Sequence, residues 1–150
     1  MFWGDERYVS RKSKNSNYKQ AFDTLIKKIN ISKKNLFPIN TKMKNALNSS
    51  TSYSNIIKNY FKNKTISFDC FLLGMGTDGH IASIFPNSDE LLKKFIAKPV
   101  NRKDFIRITL SLNIINNSKK TIVWLNNKFK SKIFNELKKK GKKIPINNLN

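Results

Sequence analysis

Among its 150 residues the chain has one cysteine, one histidine, nine acidic residues and five glycines. Each scarcity excludes something. A lone thiol, Cys70, cannot form an intramolecular disulfide and suits a reducing compartment. One histidine and one cysteine cannot supply a zinc site, so no metal is expected. There is no run of about 18 apolar residues, which leaves no candidate membrane span. No secretory leader is expected either, because Met1 is followed by Phe2-Trp3-Gly4-Asp5-Glu6-Arg7, acidic where a leader is basic. A cytoplasmic protein is the expectation.

What is present is lysine. Thirty Lys and Arg against nine Asp and Glu give a net charge of +21, a balance that ordinarily suggests a nucleic-acid partner. Only four of the thirty are arginine (Arg7, Arg11, Arg102, Arg107), the residue that reads phosphates and bases bidentately. The lysine excess travels with asparagine and isoleucine, three residues with AT-rich codons, so compositional drift explains it and no specific nucleic-acid partner is expected. The run Lys138-Lys139-Lys140-Gly141-Lys142-Lys143 reads as a solvated helix end, with cations suiting the macrodipole and Gly141 the C′ position. Hydrophobic residues make up 39%, below the usual globular share, yet apolar runs recur along the chain and argue for a folded core.

Phe2-Trp3-Gly4 reads as the tail of a strand with Asp5-Glu6-Arg7 at its carboxyl end, followed by a polar loop from Ser10 to Asn17. Helical spacing runs from Tyr18 to Ile29 and, weakened by a serine cluster, from Met43 to Phe61. Phe68 to Leu73 is an apolar run that predicts a buried, parallel-type strand, with Cys70 as a small hydrophobe inside it. A short helix is expected over Ile81–Phe85, stopped by Pro86, and another turn around Leu91-Leu92 and Phe95-Ile96, before Pro99. Phe105–Leu112 and Thr121–Leu125 are further strand candidates, and Phe129–Lys140 a basic amphipathic helix. Strands alternating with helices predict one α/β domain with a largely parallel sheet.

The chemistry concentrates in Gly74-Met75-Gly76-Thr77-Asp78-Gly79-His80. As text this contains G-x-G-x-x-G after a strand, the dinucleotide pattern. The context fails, because Pro86 truncates any following helix, and Asp89, Glu90 and Asp104 are misplaced for a ribose contact. A hydrolytic corner fits better. Ligands sit at the carboxyl ends of strands in α/β sheets, glycines let backbone N–H groups approach an anion, and histidine is the side chain whose ordinary pKa suits proton transfer near neutrality. Asp78 stands two residues before His80, either to orient its imidazole or to shape the turn. Locally, an incidental turn aspartate and helix-start histidine explain the same residues about as well. Ser83 lacks a nucleophile-elbow pattern, and Cys70 lies in an apolar run, so neither is favoured as a nucleophile.

The segment from Phe68 through Gly74-Met75-Gly76-Thr77-Asp78-Gly79-His80 to Pro86 resembles the signature of the 6-phosphogluconolactonase family. Two further blocks are similar to it in order: Phe2-Trp3-Gly4-Asp5-Glu6-Arg7-Tyr8-Val9 with Ser16-Asn17-Tyr18, and Arg107-Ile108-Thr109-Leu110-Ser111 continuing through Leu112–Asn116. The resemblance implies a three-layer α/β/α fold, shared with aminosugar-phosphate deaminases. It also implies hydrolysis of 6-phospho-D-glucono-1,5-lactone in the oxidative pentose phosphate pathway, without a cofactor. Carried onto this sequence, it makes His80 the general base, with Asp78 supporting it and Arg7 facing the sugar or the oxyanion. Asp5, Gly76, Gly79, Arg107 and Lys130 become substrate contacts, Arg107 toward the phosphate.

Departures accompany the match. Asn126-Asn127-Lys128-Phe129 stands where the family has a threonine-glycine turn. The family's leading glycine-serine phosphate loop and its closing strand and helix have no counterpart, so the chain is expected to be an incomplete domain and a poor catalyst alone. The deaminase branch follows its Asp-Gly-His corner with Asn-Glu-Pro, where this chain has Ile84-Phe85-Pro86, and that difference favours the lactonase. A basic protein that has lost catalysis and binds RNA non-specifically is the remaining alternative.

Overall fold

The computed structural model describes residues 1–89, 94–125, 128–141 and 143–150. Its strands are β1 (Asp5–Arg7), β2 (Phe71–Gly74), β3 (Ala97–Asn101), β4 (Ile106–Leu110) and β5 (Thr121–Trp124). Its α-helices are α1 (Asn17–Thr24), α2 (Ala46–Tyr60), α3 (Leu112–Asn116) and α4 (Lys128–Leu137). The α/β class expected from the alternation holds. A largely parallel sheet is not seen among the described residues: β1-β4-β3 form an antiparallel sheet, and β2 and β5 pair in parallel. The reason is local. Only residues 102–105 connect β3 to β4, and so short a connection permits a hairpin but no crossover.

β4 is the spine. Ile108, Thr109 and Leu110 are fully buried, with β1 and β3 on either side and α2 packed across β3 and β4. Asn45 caps α2 by accepting from Asn48 N at 2.8 Å, and Tyr53 and Ile57 enter the core one turn apart. The Tyr53 hydroxyl receives Trp3 N–H at 2.8 Å and donates to Trp3 C=O at 2.9 Å, which ties the helix to the backbone leading into β1. Burial pushes that phenol well above its ordinary pKa.

Several expected elements move. The first strand is Asp5–Arg7 itself, while Phe2 makes only an isolated bridge to Phe37. The helix from Tyr18 ends at Thr24, and 26–28 continues as a 3₁₀ turn. β2 begins at Phe71, so Cys70 lies outside the strand and is exposed. Ile81–Phe85 is no helix: Ile81 bridges Met75 and Ile84, and Ala82 takes φ 48°, outside the right-handed helical region. The turn expected around Leu91-Leu92 falls outside the described residues, and 97–101 is a strand despite Pro99. That is tolerable because β3 is an edge strand. At the basic end, Gly141 is the C-cap of a 3₁₀ turn over 138–140, with φ 74° but ψ −173°, so it has the positive φ and not the left-handed helical conformation expected of a C′ glycine.

Candidate active site

The carboxyl end of β2 passes into a tight turn in which Gly76 N–H donates to His80 C=O at 2.9 Å and Gly79 N–H to Gly76 C=O at 3.0 Å. The turn folds His80 back onto Asp78. Asp78 Oδ1 lies 2.6 Å from His80 Nδ1 and accepts the His80 backbone N–H at 3.1 Å. A carboxylate on Nδ1 holds the proton there and leaves Nε2 as the basic nitrogen. Burial pushes the Asp78 carboxyl up, but the hydrogen bonds and charge of His80 outweigh it and hold its pKa below the ordinary value. The Phe85 ring packs against the imidazole at a tilt of 35° with centroids 4.5 Å apart, and the Arg102 guanidinium lies 4.0 Å from the centre of that ring.

His80 opens onto a cavity of about 360 Å³ that also takes in Asp5, Arg7, Asn17, Gly76, Arg107 and Lys130. Pairing of β1 with β4 sets Arg7 directly opposite Arg107. Like charges in that position repel unless something negative is shared between them. Arg7 Nη1 donates to Asn17 Oδ1 and, at 3.4 Å, to the Asn15 C=O, while Arg107 Nη2 donates to Asp104. Lys130, near the start of α4, donates to Met75 C=O at 2.8 Å. The result is three cationic side chains on one cavity with a histidine–carboxylate pair, a set suited to an anionic substrate and proton transfer.

Of the residues expected from sequence, Asp5, Arg7, Gly76, His80, Arg107 and Lys130 line the cavity, and Asp78 joins through His80. Gly79 does not line it. Its backbone, at φ 85°, packs against Ile144 and Leu137, so its part is to make the turn. Asn17 and Ser83 were not expected. Asn17 Nδ2 donates to the Asp5 carboxylate at 3.0 Å, and Ser83 Oγ to the other Asp5 oxygen at 2.7 Å. Asn17 lies in a block that resembles the family, which was its only sequence signal. The buried Ser83 also lies in such a block, but its contact depends on a partner 78 residues away.

Residues 1–150 match the family described as glucosamine-6-phosphate isomerases/6-phosphogluconolactonase. The chain belongs to that family. It is 34% identical over 137 residues to probable 6-phosphogluconolactonase 1 of Arabidopsis thaliana, across 82% of this chain and 50% of that protein. The 6-phosphogluconolactonase of Synechocystis is 32% identical over 126 residues, 81% of this chain and 52% of the relative. Among solved structures, the 6-phosphogluconolactonase of Thermotoga maritima superposes with a TM-score of 0.87 at 26% identity, covering 99% of this chain and 66% of that one. The chain therefore spans about half the length of these two curated relatives. Family membership agrees with the three motif blocks, whose residues meet around the His80 cavity from β1, β2 and β4.

Proposed function

We infer that the His80 cavity is the hydrolytic site of a 6-phosphogluconolactonase, and that the residues around it act on 6-phospho-D-glucono-1,5-lactone. The observation that carries this reading is the Asp78–His80 pair, at 2.6 Å, opening on a cavity shared by Arg7, Arg107 and Lys130. His80 Nε2 takes a proton from water as the water oxygen attacks the lactone carbonyl carbon. Negative charge then develops on the carbonyl oxygen, where Arg7 supplies compensation. As the tetrahedral centre collapses, the bond to the ring oxygen breaks. The imidazolium returns its proton to that oxygen, which becomes a hydroxyl, and the carboxylic acid formed releases its own proton to solvent to give the open-chain carboxylate. Arg107 and Lys130 hold the phosphate, with the guanidinium suited to a dianion. Asp78 keeps the imidazole in the working tautomer. Nothing in these steps calls for a metal or cofactor.

The site belongs to one domain whose complete form is the three-layer α/β/α fold of the longer relatives. The substrate is a small molecule, and the lysine-rich surface serves no specific nucleic-acid recognition. No described helix is long and apolar enough to cross a membrane. The deaminase reading is disfavoured by Phe85, an apolar ring against His80 that moves no proton.

Lactone hydrolysis, corrected for the spontaneous reaction, is the test. His80→Ala is expected to lower turnover about 10²–10⁴-fold, the usual worth of a general base, while binding of 6-phosphogluconate changes little. Near-parental turnover in His80→Ala would sink the assignment.

A further inference from the structure

Strand alternation turns Glu6 away from the cavity that its neighbours Asp5 and Arg7 line. Its side chain is nonetheless buried, at 1% exposure, with no cation on it among the described residues. Its carboxylate accepts the backbone N–H of Asn17 at 2.7 Å, of Tyr18 at 2.8 Å and of its own neighbour Arg7 at 2.8 Å, and the Ser16 hydroxyl at 3.0 Å. Burying a carboxylate is costly; here it takes the first-turn N–H groups of Asn17 and Tyr18 that Ser16 Oγ, accepting from Lys19 N at 3.2 Å, leaves free. What distinguishes the arrangement is which residues it joins. Arg7 and Asn17 are both gripped by the same carboxylate through their backbones, and both turn their side chains to the cavity. There Asn17 Oδ1 receives the Arg7 guanidinium, while Asn17 Nδ2 donates to the carboxylate and the carbonyl of Asp5, each at 3.0 Å.

We propose that Glu6 is a positioning residue of the site: from behind the cavity wall it locks β1 to the head of α1, so that Asp5, Asn17 and Arg7 form one hydrogen-bonded unit facing the substrate. The inference rests on the lactonase reading and deepens it, because Arg7 acts on the oxyanion only if its guanidinium is held in place before substrate arrives. Burial raises the Glu6 carboxyl above its ordinary pKa, while the hydrogen bonds from Tyr18, Asn17, Ser16 and Arg7 oppose the rise.

Two measurements on the 150-residue protein decide it. The first is a binding cycle with 6-phosphogluconate as the probe, using the parent, Glu6→Gln, Arg7→Ala and the double variant. If Glu6 works through Arg7, Glu6→Gln weakens binding about tenfold in the parent but less than about twofold beside Arg7→Ala, because coupled residues are non-additive. A generally loosened fold gives the same factor in both backgrounds, and that result overturns the proposal. The second needs no ligand. In an NMR pH titration the amide signals of Arg7, Asn17 and Tyr18 are expected to move with one common midpoint, and the Arg7 Nε–H signal to move with them. Asp5 and Arg7 on β1, Lys19 on α1 and Arg107 on β4 also ionise along these elements. Glu6→Gln is therefore the control, in which the common transition disappears. Failure of the parent to bind 6-phosphogluconate counts against a lactonase site in the 150-residue protein and not against Glu6. The Arg7 Nε–H signal then decides the positioning role, and its indifference to Glu6→Gln refutes it.

Discussion

A methyl group on Gly76 would lie 2.1 Å from His80 Nδ1 and 2.7 Å from Asp78 Oδ1, closer than any real contact. The backbone around it is held by the turn, so the imidazole and carboxylate have to separate. Gly76→Ala is thus expected to lower lactone turnover at least about 10²-fold, with little change in melting temperature. Gly79→Ala should do the reverse. That residue sits at φ 85°, and a Cβ there would meet Ile144 Cγ2 at 2.5 Å. Left-handed strain plus overpacking amounts to about 2–5 kcal/mol, a fall in melting temperature on the order of 10 °C. The opposite pattern in thermal melts and rates would mean that the two glycines have been assigned the wrong way round. Asp78 adds a pH signature. Its folded pKa is lowered, so the stability it contributes is present above the ordinary carboxylate value and lost as pH falls through the folded one. The difference in melting temperature between the parent and Asp78→Asn should close as pH falls below about 4. A difference that persists unchanged in stronger acid contradicts an ionised Asp78. His80, Asp78 and Arg7 were legible in the sequence because each lies in a compact block. Asn17 and Ser83 act through partners distant in the chain, which no local pattern encodes.

Elements were legible where a period repeats for long enough. The spacing of α2 gave its span to within three residues at its start and one at its end, and the apolar run before Gly74 marked β2. β3 was hidden by Pro99, whose missing N–H costs nothing on an outer strand. The supposed helix over Ile81–Phe85 failed because Ile81 and Ile84 are buried through bridges in a turn, which mimic an i, i+3 helical face. The antiparallel β3–β4 hairpin was hidden for the same reason as β3, because Pro99 masks one of its two strands. At this scale the junction of α2 with the chain before β1 is the most exposed to a single change. Tyr53→Phe leaves both the N–H and the C=O of Trp3 without their partner in a dry core. An unfolding free energy lower by about 1–3 kcal/mol is expected, with the midpoint of a urea titration moving and its slope unchanged. A loss within error would show that water or a backbone shift satisfies both groups.

For the whole molecule, the decisive surface is the bare side of the β2–β5 pair. Leu72 and Trp124 are each 66% exposed and Ile122 36%, on one face of the pair. Parallel strands are ordinarily covered on both faces, and an uncovered apolar patch promotes association. The Thermotoga maritima relative has a third of its chain beyond the part that superposes here. The 150-residue protein is therefore expected to self-associate in sedimentation experiments, and Ile122→Lys with Trp124→Lys to reduce that association without lowering stability. In a polypeptide extended to the relatives' length, the same two lysines should instead destabilise where the added residues pack on this face. Catalysis follows the same logic. Orienting the lactone depends on contacts remote from its carbonyl, and a chain supplying only part of the wall around a phosphate loses turnover as well as affinity. At equal folded concentration the extended polypeptide is expected to hydrolyse the lactone faster than the 150-residue protein. Equal rates, with the lysine pair neutral in both, would mean that the His80 cavity is sufficient by itself and that the bare face belongs to some other contact.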